Sequence, residues 1–459
     1  MTIHEPRPRI AIVGSGISGL SAAWLLGDRF HITMFERRSV LGLGSQGQMV
    51  DTDSGPVRVD IPPRVFNAGH YRAMSELLAD VDMPTYEIAQ RPGFSDQNGR
   101  PYLGFDTVGS GAQTQHRLRL HLRTWPWLSR HGAQLYRWHR FLQDFCADQV
   151  GADETLAAAL ARLGFSDQFR DSFLYPMWAL MCTCRYDHMD AFPARPVLEL
   201  AQNFAGSFAT RRFKGGTQAL EKRLLQRVHA IALGRTVSRI DQRGDEVLLH
   251  TAQDAEPVSF RHVILATDPH STIGLLKNGP LAADRALIAQ VPSHETTMIL
   301  HTDTAALPRA LRAPVNLHYD AQRRRSSATL WMNPIEHAPL GKTVLQSWDP
   351  MTPPAADSVI AQRTFHRALM TCASQQAMAQ LRSCMREASS RRVWFVGSYV
   401  CDGVPLLENG VQSARLVAGL LRERYPTQST ARNASAARTN AEVMPASSGE
   451  CAPSGTIVS

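Results

Sequence analysis

The stretch from Arg9 to Gly27, RIAIVGSGISGLSAAWLLG, leaves the chain few ways to fold. A short apolar run, Ile10 to Val13, meets Gly14, Gly16 and Gly19 at G-x-G-x-x-G spacing, and a helix-forming segment follows. The first glycine permits a tight turn, the second lets a pyrophosphate reach the backbone, and the third lets helix and strand pack closely. Amides at the helix start, in the segment Ser15, Gly16, Ile17 and Ser18, supply hydrogen bonds and a dipole to phosphates. A second strand, HITMFE, ends on Glu36, roughly twenty residues beyond Gly14, where an acid accepts ribose hydroxyls. Three glycines at this spacing occur in many loops. With the strand before, the helix after and the acid, they point to an adenine dinucleotide site; a solvated acid at a strand end is the plain alternative for Glu36.

Nicotinamide and flavin cofactors share this fingerprint, so the following residues decide. After Glu36 the chain runs into RRSVLGLGSQGQ, where Gly42, Gly44 and Gly47 make an extended, flexible segment suited to a cofactor lying along it. Here the sequence resembles the FAD-dependent amine oxidases, phytoene-type desaturases and protoporphyrinogen-oxidase-like proteins, whose pattern at this point is E-A-x-x-R-x-G-G-[RH]. It departs from that pattern at Val40, Leu43 and Gly44. Arg37 and Arg38 either restore positive charge beside the cofactor or stand exposed.

The resemblance runs to about residue 425. RVDIPPRVFNAGHY (58–71) is similar to the family's V-D-x-G segment beside the isoalloxazine. The stretch from DETLAAALARLGF to MDAFPA looks like the helical substrate-domain block of a bacterial subgroup described as NAD/FAD-binding or amine-oxidase-like. FKGGTQALEKRLL and VSRID are similar to a double-glycine helix and a strand whose valine, here Val237, meets the adenine. Near the end, VGSYVCDGVPLLENGVQSA carries Gly397, Gly403, Glu408, Asn409, Gly410 and Ser413 at family positions. The resemblance implies an α/β fold: a Rossmann-like FAD-binding domain of the glutathione-reductase type (1–75, 213–275 and 386–426) with an inserted α+β substrate domain, mainly helical over 76–212 and sheet over 276–385. It implies non-covalent FAD. Gly397, Glu408, Asn409 and Val411 would serve the flavin end, with amides near Val411 placing partial positive charge at the ring.

Flavin carries the electron transfer itself, so the protein must supply orientation, an apolar pocket and electrostatics. Arg64, just after Pro62-Pro63, falls where the resemblance puts the chain beside the ring. Its guanidinium can bind a substrate carboxylate, stabilise the reduced ring, or simply be a surface or salt-bridged arginine. Tyr399 and Cys401 also fall near the expected flavin face, where Cys401 is either a covalent flavin link or an inert buried thiol. His70, Tyr71, Trp331 and Trp348 are further candidates for pocket walls or plain core.

With 459 residues and 44% apolar content, the chain can bury a sizeable ligand. Its net charge of +8 comes from 49 basic residues of which the lysines are only Lys214, Lys222, Lys277 and Lys342, an arginine surplus that reads as base composition rather than nucleic-acid binding. Seven unevenly spaced cysteines argue for a reducing, cytoplasmic setting, and Cys182-Thr-Cys184 lacks the second pair of a metal site. No signal-like apolar run opens the chain and none approaches a bilayer-spanning length. Arginines alternate with Trp125, Trp127 and Trp138 over 116–142, either as the exposed face of a helical domain whose tryptophans point inward, as a contact with an anionic membrane, or as a funnel for an acidic substrate; Pro126 should divide the segment. Residues 427–459 read as a disordered tail. The leading functional expectation is hydride transfer to FAD from an apolar acyl or secondary-metabolite substrate. Double-bond isomerisation, amine or amino-acid oxidation, and non-catalytic flavin binding remain open alternatives. Oligomeric state is not legible.

Overall fold

The computed structural model describes residues 7–426 other than 54, 89–90, 121, 206–208, 277–280, 309–312 and 388. The segment expected to be a tail, 427–459, therefore lies outside the described residues. Five parallel strands form the first sheet: β1 (Arg9–Val13), β2 (His31–Glu36), β3 (Ala230–Leu233), β4 (His262–Leu265) and β5 (Val393–Phe395), in the order β3-β2-β1-β4-β5. The central ones are continuous apolar runs because both faces are covered; Ile10, Ile12, Ile264 and Trp394 have no exposed surface. Register sets Val13 beside both Phe35 and Leu265, so Gly14, Glu36 and Ala266 leave the sheet along one carboxyl edge. Ligands of open parallel sheets bind along that edge.

Helix α1 (Ile17–Leu26) is buried on nearly all sides, which suits its almost wholly apolar sequence. Helix α2 (Arg72–Asp80) has no side-chain cap of its own at Tyr71. Glu408 supplies one from the far end of the chain, accepting from the amides of Ala73 at 2.8 Å and Met74 at 2.9 Å. Helix α3 (Trp125–Asp144) turns Trp127, His131, Trp138 and Leu142 inward and leaves Trp125 exposed. The segment 116–142 is divided as expected: a strand ends at Leu118 and the helix begins only at Trp125, with Pro126 in its first turn, where no intrahelical N–H is required of it. Helix α4 (Cys372–Glu387) packs Ala377, Met378, Leu381 and Met385 into the same core as the parallel sheet. The last helix, α5 (Leu407–Arg424), lies beside α1, close enough that a Cβ on Gly410 would stand 2.8 Å from Ser18 Oγ.

A second core belongs to the inserted region. Its sheet has eight strands, running from Val359–Ala368 at one edge to Gln115–Leu118 at the other, and one face is covered by the helical block that includes α3 and Tyr175–Cys182. Trp348 is core here, donating from Nε1 to Thr296 Oγ1 at 2.7 Å, and Trp331 donates to Asn333. Among the described residues no helix is long and apolar enough to cross a membrane.

His262, at the start of β4, has no exposed surface; its Nδ1 accepts from Trp394 Nε1 at 3.2 Å, leaving Nε2 to donate to the Tyr425 hydroxyl at 3.0 Å. Burial, then the charges of Arg392, Arg424 and Arg261, hold its pKa down at about 3. The unfolded chain takes up that proton near pH 6.5, the folded chain only far below, so stability is present above pH 6.5 and is lost progressively as pH falls towards the folded value. Denaturant unfolding at pH 7 and pH 5 should show a loss of about 2 kcal/mol from this residue. His262→Gln should flatten that part of the slope.

Candidate functional site

A cavity of about 410 Å³ opens between the two cores. From the parallel-sheet side it is lined by Gly16, Ile17 and Ser18 at the start of α1, and by Leu406 and Leu407 at the start of α5. Neither helix has a side-chain cap: the cap position of α1 is Gly16, that of α5 is Leu406, and among the described residues no side-chain oxygen accepts from their first turns. Other helices of the chain are capped, by Thr155 before Leu156–Arg162 and by Asp268 before Pro269–Leu275. Two sets of free first-turn amides, each carrying the positive end of a helix dipole, therefore face one space.

The glycines divide into two kinds. Gly14 holds φ at +104°, and a Cβ on Gly19 would lie 2.0 Å from the Gly14 carbonyl oxygen, so both are required by the fold itself. A Cβ on Gly16 would meet nothing within 4 Å. That open position beside uncapped amides fits a pyrophosphate, as the dinucleotide reading requires. The start of α5 fits the negative charge of a reduced ring in the same way. Val411, expected to contribute there, is fully buried one turn inside the helix; the free amides belong to residues from Leu407 onward.

Several sequence candidates have other duties. Ser15 is buried away from the cavity, its amide and hydroxyl donating to Glu36 Oε2 at 3.2 and 2.6 Å, while its oxygen accepts from the Gly42 amide at 2.7 Å. Glu36 also accepts from the Arg38 amide at 3.0 Å through Oε1. Oε2 is thus saturated and Oε1 keeps one lone pair for a ribose hydroxyl. Gly42 lines the cavity, as does Leu43, one of the departures from the family pattern. Arg37 is exposed and makes no ion pair among the described residues. Val237 is buried outside the cavity wall, close in the chain to Leu233, which pairs with Glu36, so an adenosine end would run along that junction. Glu408 has both oxygens committed to α2, and the Asn409 amide donates to the Asp402 carbonyl, closing the loop around Gly403.

Of the three residues expected near the ring, Arg64 and Tyr399 line the cavity and Cys401 does not. The Tyr399 ring lies against Gly397, where a Cβ would come within 2.6 Å of it, and its hydroxyl is 3.3 Å from Thr272 Oγ1. Burial pushes its pKa up, so it is a wall rather than a proton carrier. Cys401 instead borders a separate small space with Leu369 and Met378; burial pushes its thiol up to about 11, away from the reactive thiolate. Tyr71 lines the cavity; His70, Trp331 and Trp348 do not.

The far wall comes from the second core: Leu180, Met181, Phe192, Phe204, Leu330 and Ile335. Sequence reasoning missed Arg367 and Thr183, which line it as well. Thr183 ends the helix Tyr175–Cys182 in a left-handed conformation at φ +47°. No local motif marks either residue; each is placed by strand or helix ends that only the assembled sheet brings to the cavity.

If Gly16 faces a pyrophosphate, Gly16→Ala should leave unfolding of the cofactor-free protein within about 1 kcal/mol of the parent. FAD affinity by fluorescence titration should fall about tenfold or more. Gly19→Ala should instead lower stability itself, by about 3 kcal/mol, since its Cβ has no room.

Comparison with known proteins agrees with this geometry. The family model of the NAD(P)-binding Rossmann-like domain matches residues 12–81. No curated protein sequence matches the chain. Among solved structures, a proposed protoporphyrinogen oxidase from Exiguobacterium sp. 255-15 superposes with a TM-score of 0.62 at 15% identity, covering 91% of this chain and 99% of that one. Putrescine oxidase bound to putrescine gives 0.60 at 14% identity, covering 90% and 98%. A CLA-producing fatty acid isomerase from P. acnes gives 0.60 at 14%, covering 92% and 99%. At such identities the likeness is one of fold, and the fold is that of the FAD-dependent amine-oxidase-like proteins.

Proposed function

We propose that this chain is an FAD-dependent oxidoreductase that takes a hydride from a largely apolar substrate. The observation that carries the reading is the single cavity onto which two uncapped helix N-termini open at one side and an apolar wall at the other. FAD, when bound, would supply the hydride acceptor. The start of α1 would hold the pyrophosphate, with Gly16, Ile17 and Ser18 nearest; Glu36 would take a ribose hydroxyl; the start of α5 would stabilise charge at the ring. Tyr399 and Tyr71 would wall the ring side, and Phe192, Phe204, Leu330 and Ile335 would exclude water from the substrate carbons. The chemistry asks for no nucleophile, which accords with the raised thiol of Cys401 and its place off the cavity.

A second reading, double-bond isomerisation with the hydride returned to the same molecule, draws support from the fold shared with the fatty acid isomerase. Amine oxidation, the chemistry named for the putrescine oxidase, is disfavoured by the charge of the chamber: the acid on its wall, Asp268, is committed to Ser271 at 2.9 and 2.6 Å, whereas Arg64 and Arg367 are cationic.

Purified protein should be yellow and release FAD on heating. Under anaerobic titration with a panel of long-chain acyl and terpenoid compounds, at least one should bleach the visible absorbance. Peroxide on readmitting air marks an oxidase, and a shifted double bond without oxygen uptake marks the isomerase. Protein that is colourless and takes up no FAD on reconstitution would sink the proposal; yellow protein that no substrate bleaches would leave a flavin-binding protein without catalysis.

A further inference from the structure

Two guanidinium groups reach the chamber from different parts of the fold. Arg64 comes from the loop after the strand Val57–Val59, and Arg367 from the penultimate position of the strand Val359–Ala368. Among the described residues neither forms an ion pair; Arg64 donates no hydrogen bond, and Arg367 donates from Nε to Thr183 Oγ1 at 3.1 Å. Their pKa values record the same isolation. Burial, then the neighbouring Arg64 charge, brings Arg367 down to about 10, and burial lowers Arg64 against the pull of Asp60.

Arg64 and Arg367 are half-buried, and among the described residues the more deeply buried arginines are matched. Arg212 lies 2.7 Å from Glu336, Arg391 is 2.9 Å from Asp284, and Arg382 is 2.6 Å from Asp402. Asp60, the acid whose charge reaches Arg64, already accepts from the amide and hydroxyl of Thr217 at 3.0 and 2.7 Å and lies 3.7 Å from Arg212. Charged groups withdrawn from water persist where they are paired. Here, among the described residues, the chain supplies no acid, only the Thr183 hydroxyl and the face of the Phe365 ring, 5.2 Å from the Arg367 guanidinium, and both groups face the space a ligand would enter.

We propose that Arg64 and Arg367 together receive the carboxylate head of the substrate, whose apolar body lies against Phe192, Phe204, Leu330 and Ile335, and that the same pair turns away alkylammonium ions. The planar fork of a guanidinium matches the two coplanar oxygens of a carboxylate, and a carboxylate has lone pairs enough for two such donors. The two arginines come from different domains, so one head group would tie the inserted sheet to the flavin-side loop. This rests on the reading above that the chamber is the substrate side of a flavin site.

The test is calorimetric titration of the protein as purified, its flavin content read from visible absorbance, with decanoate, decanol, decylammonium and decyl phosphate. Decanoate should bind at least about tenfold more tightly than decanol, and decylammonium more weakly than decanol. In Arg367→Met the decanoate advantage should vanish while decanol affinity stays, and Arg64→Met should do the same. Equal affinity for decanoate and decanol in the parent protein, a preference for decylammonium, or an undiminished decanoate advantage in both variants overturns the proposal. Decyl phosphate binding about tenfold above decanoate overturns the carboxylate assignment. Should either variant fail to fold, the ranking of the four probes on the parent protein decides. Protein that takes up no FAD on reconstitution yet still ranks decanoate first upholds the arginine pair and sinks the FAD reading; yellow protein without that ranking does the reverse.

Discussion

Gly410 stands where the last helix crosses the first turn of α1, and a Cβ there would lie 2.8 Å from Ser18 Oγ and 3.0 Å from Ile17 Cγ2. A side chain there would push Ser18 and Ile17 aside, so the bare backbone keeps this approach close. It holds two helix starts, from opposite ends of the chain, at one cavity, and each carries roughly half an elementary charge of positive dipole. Side-chain caps would cancel much of that field. Their absence at Gly16 and Leu406 keeps it directed at whatever occupies the space.

The surrounding acids reinforce the effect by facing the protein. Glu408 closes the start of α2, Asp60 holds Thr217, Asp268 caps its own helix, Glu221 accepts from the Gly44 amide at 2.7 Å, and most of the Glu36 carboxylate is taken by Ser15 and Arg38. Each stabilises a turn or helix end that shapes the cavity, and each is thereby prevented from neutralising it. The helix ends and the guanidinium groups of Arg64 and Arg367 then leave this face of the cavity positive. The same walls are otherwise apolar, so such interactions act in low dielectric, where they count for more than in water.

The division of labour between the two cores follows. The parallel sheet needs both faces covered, so its strands are continuous apolar runs and its loops gather at one edge. The inserted sheet offers its side chains to the opposite wall, where shape rather than motif sets what fits. Arg64 and Arg367 meet across that boundary, and neither unit alone presents a complete chamber.

Much of the first unit was legible because its residues answer to local rules. The spacing of Gly14, Gly16 and Gly19 between an apolar strand and a helix marks a tight strand-turn-helix, and the resemblance of the motif around Glu408 to Ser413 to a known family implied that the last strand and helix return beside it, as they do. Contacts from far along the chain, which local rules do not show, engage other candidates: Glu408 meets the amides of Ala73 and Met74, Ser15 turns to Glu36, and Cys401 borders a space apart from the cavity. Pro126 was legible by a local rule as well, since a proline is barred from a helix interior but not from its first turn, and the helix starts beside it. The sequence by itself determined a dinucleotide-type fold with a second unit inserted, because periodicity and glycine spacing act over a few residues. The tertiary structure alone decided the charge of the chamber, because whether an arginine is paired depends on which distant carboxylates the fold brings to it and which it has already committed elsewhere.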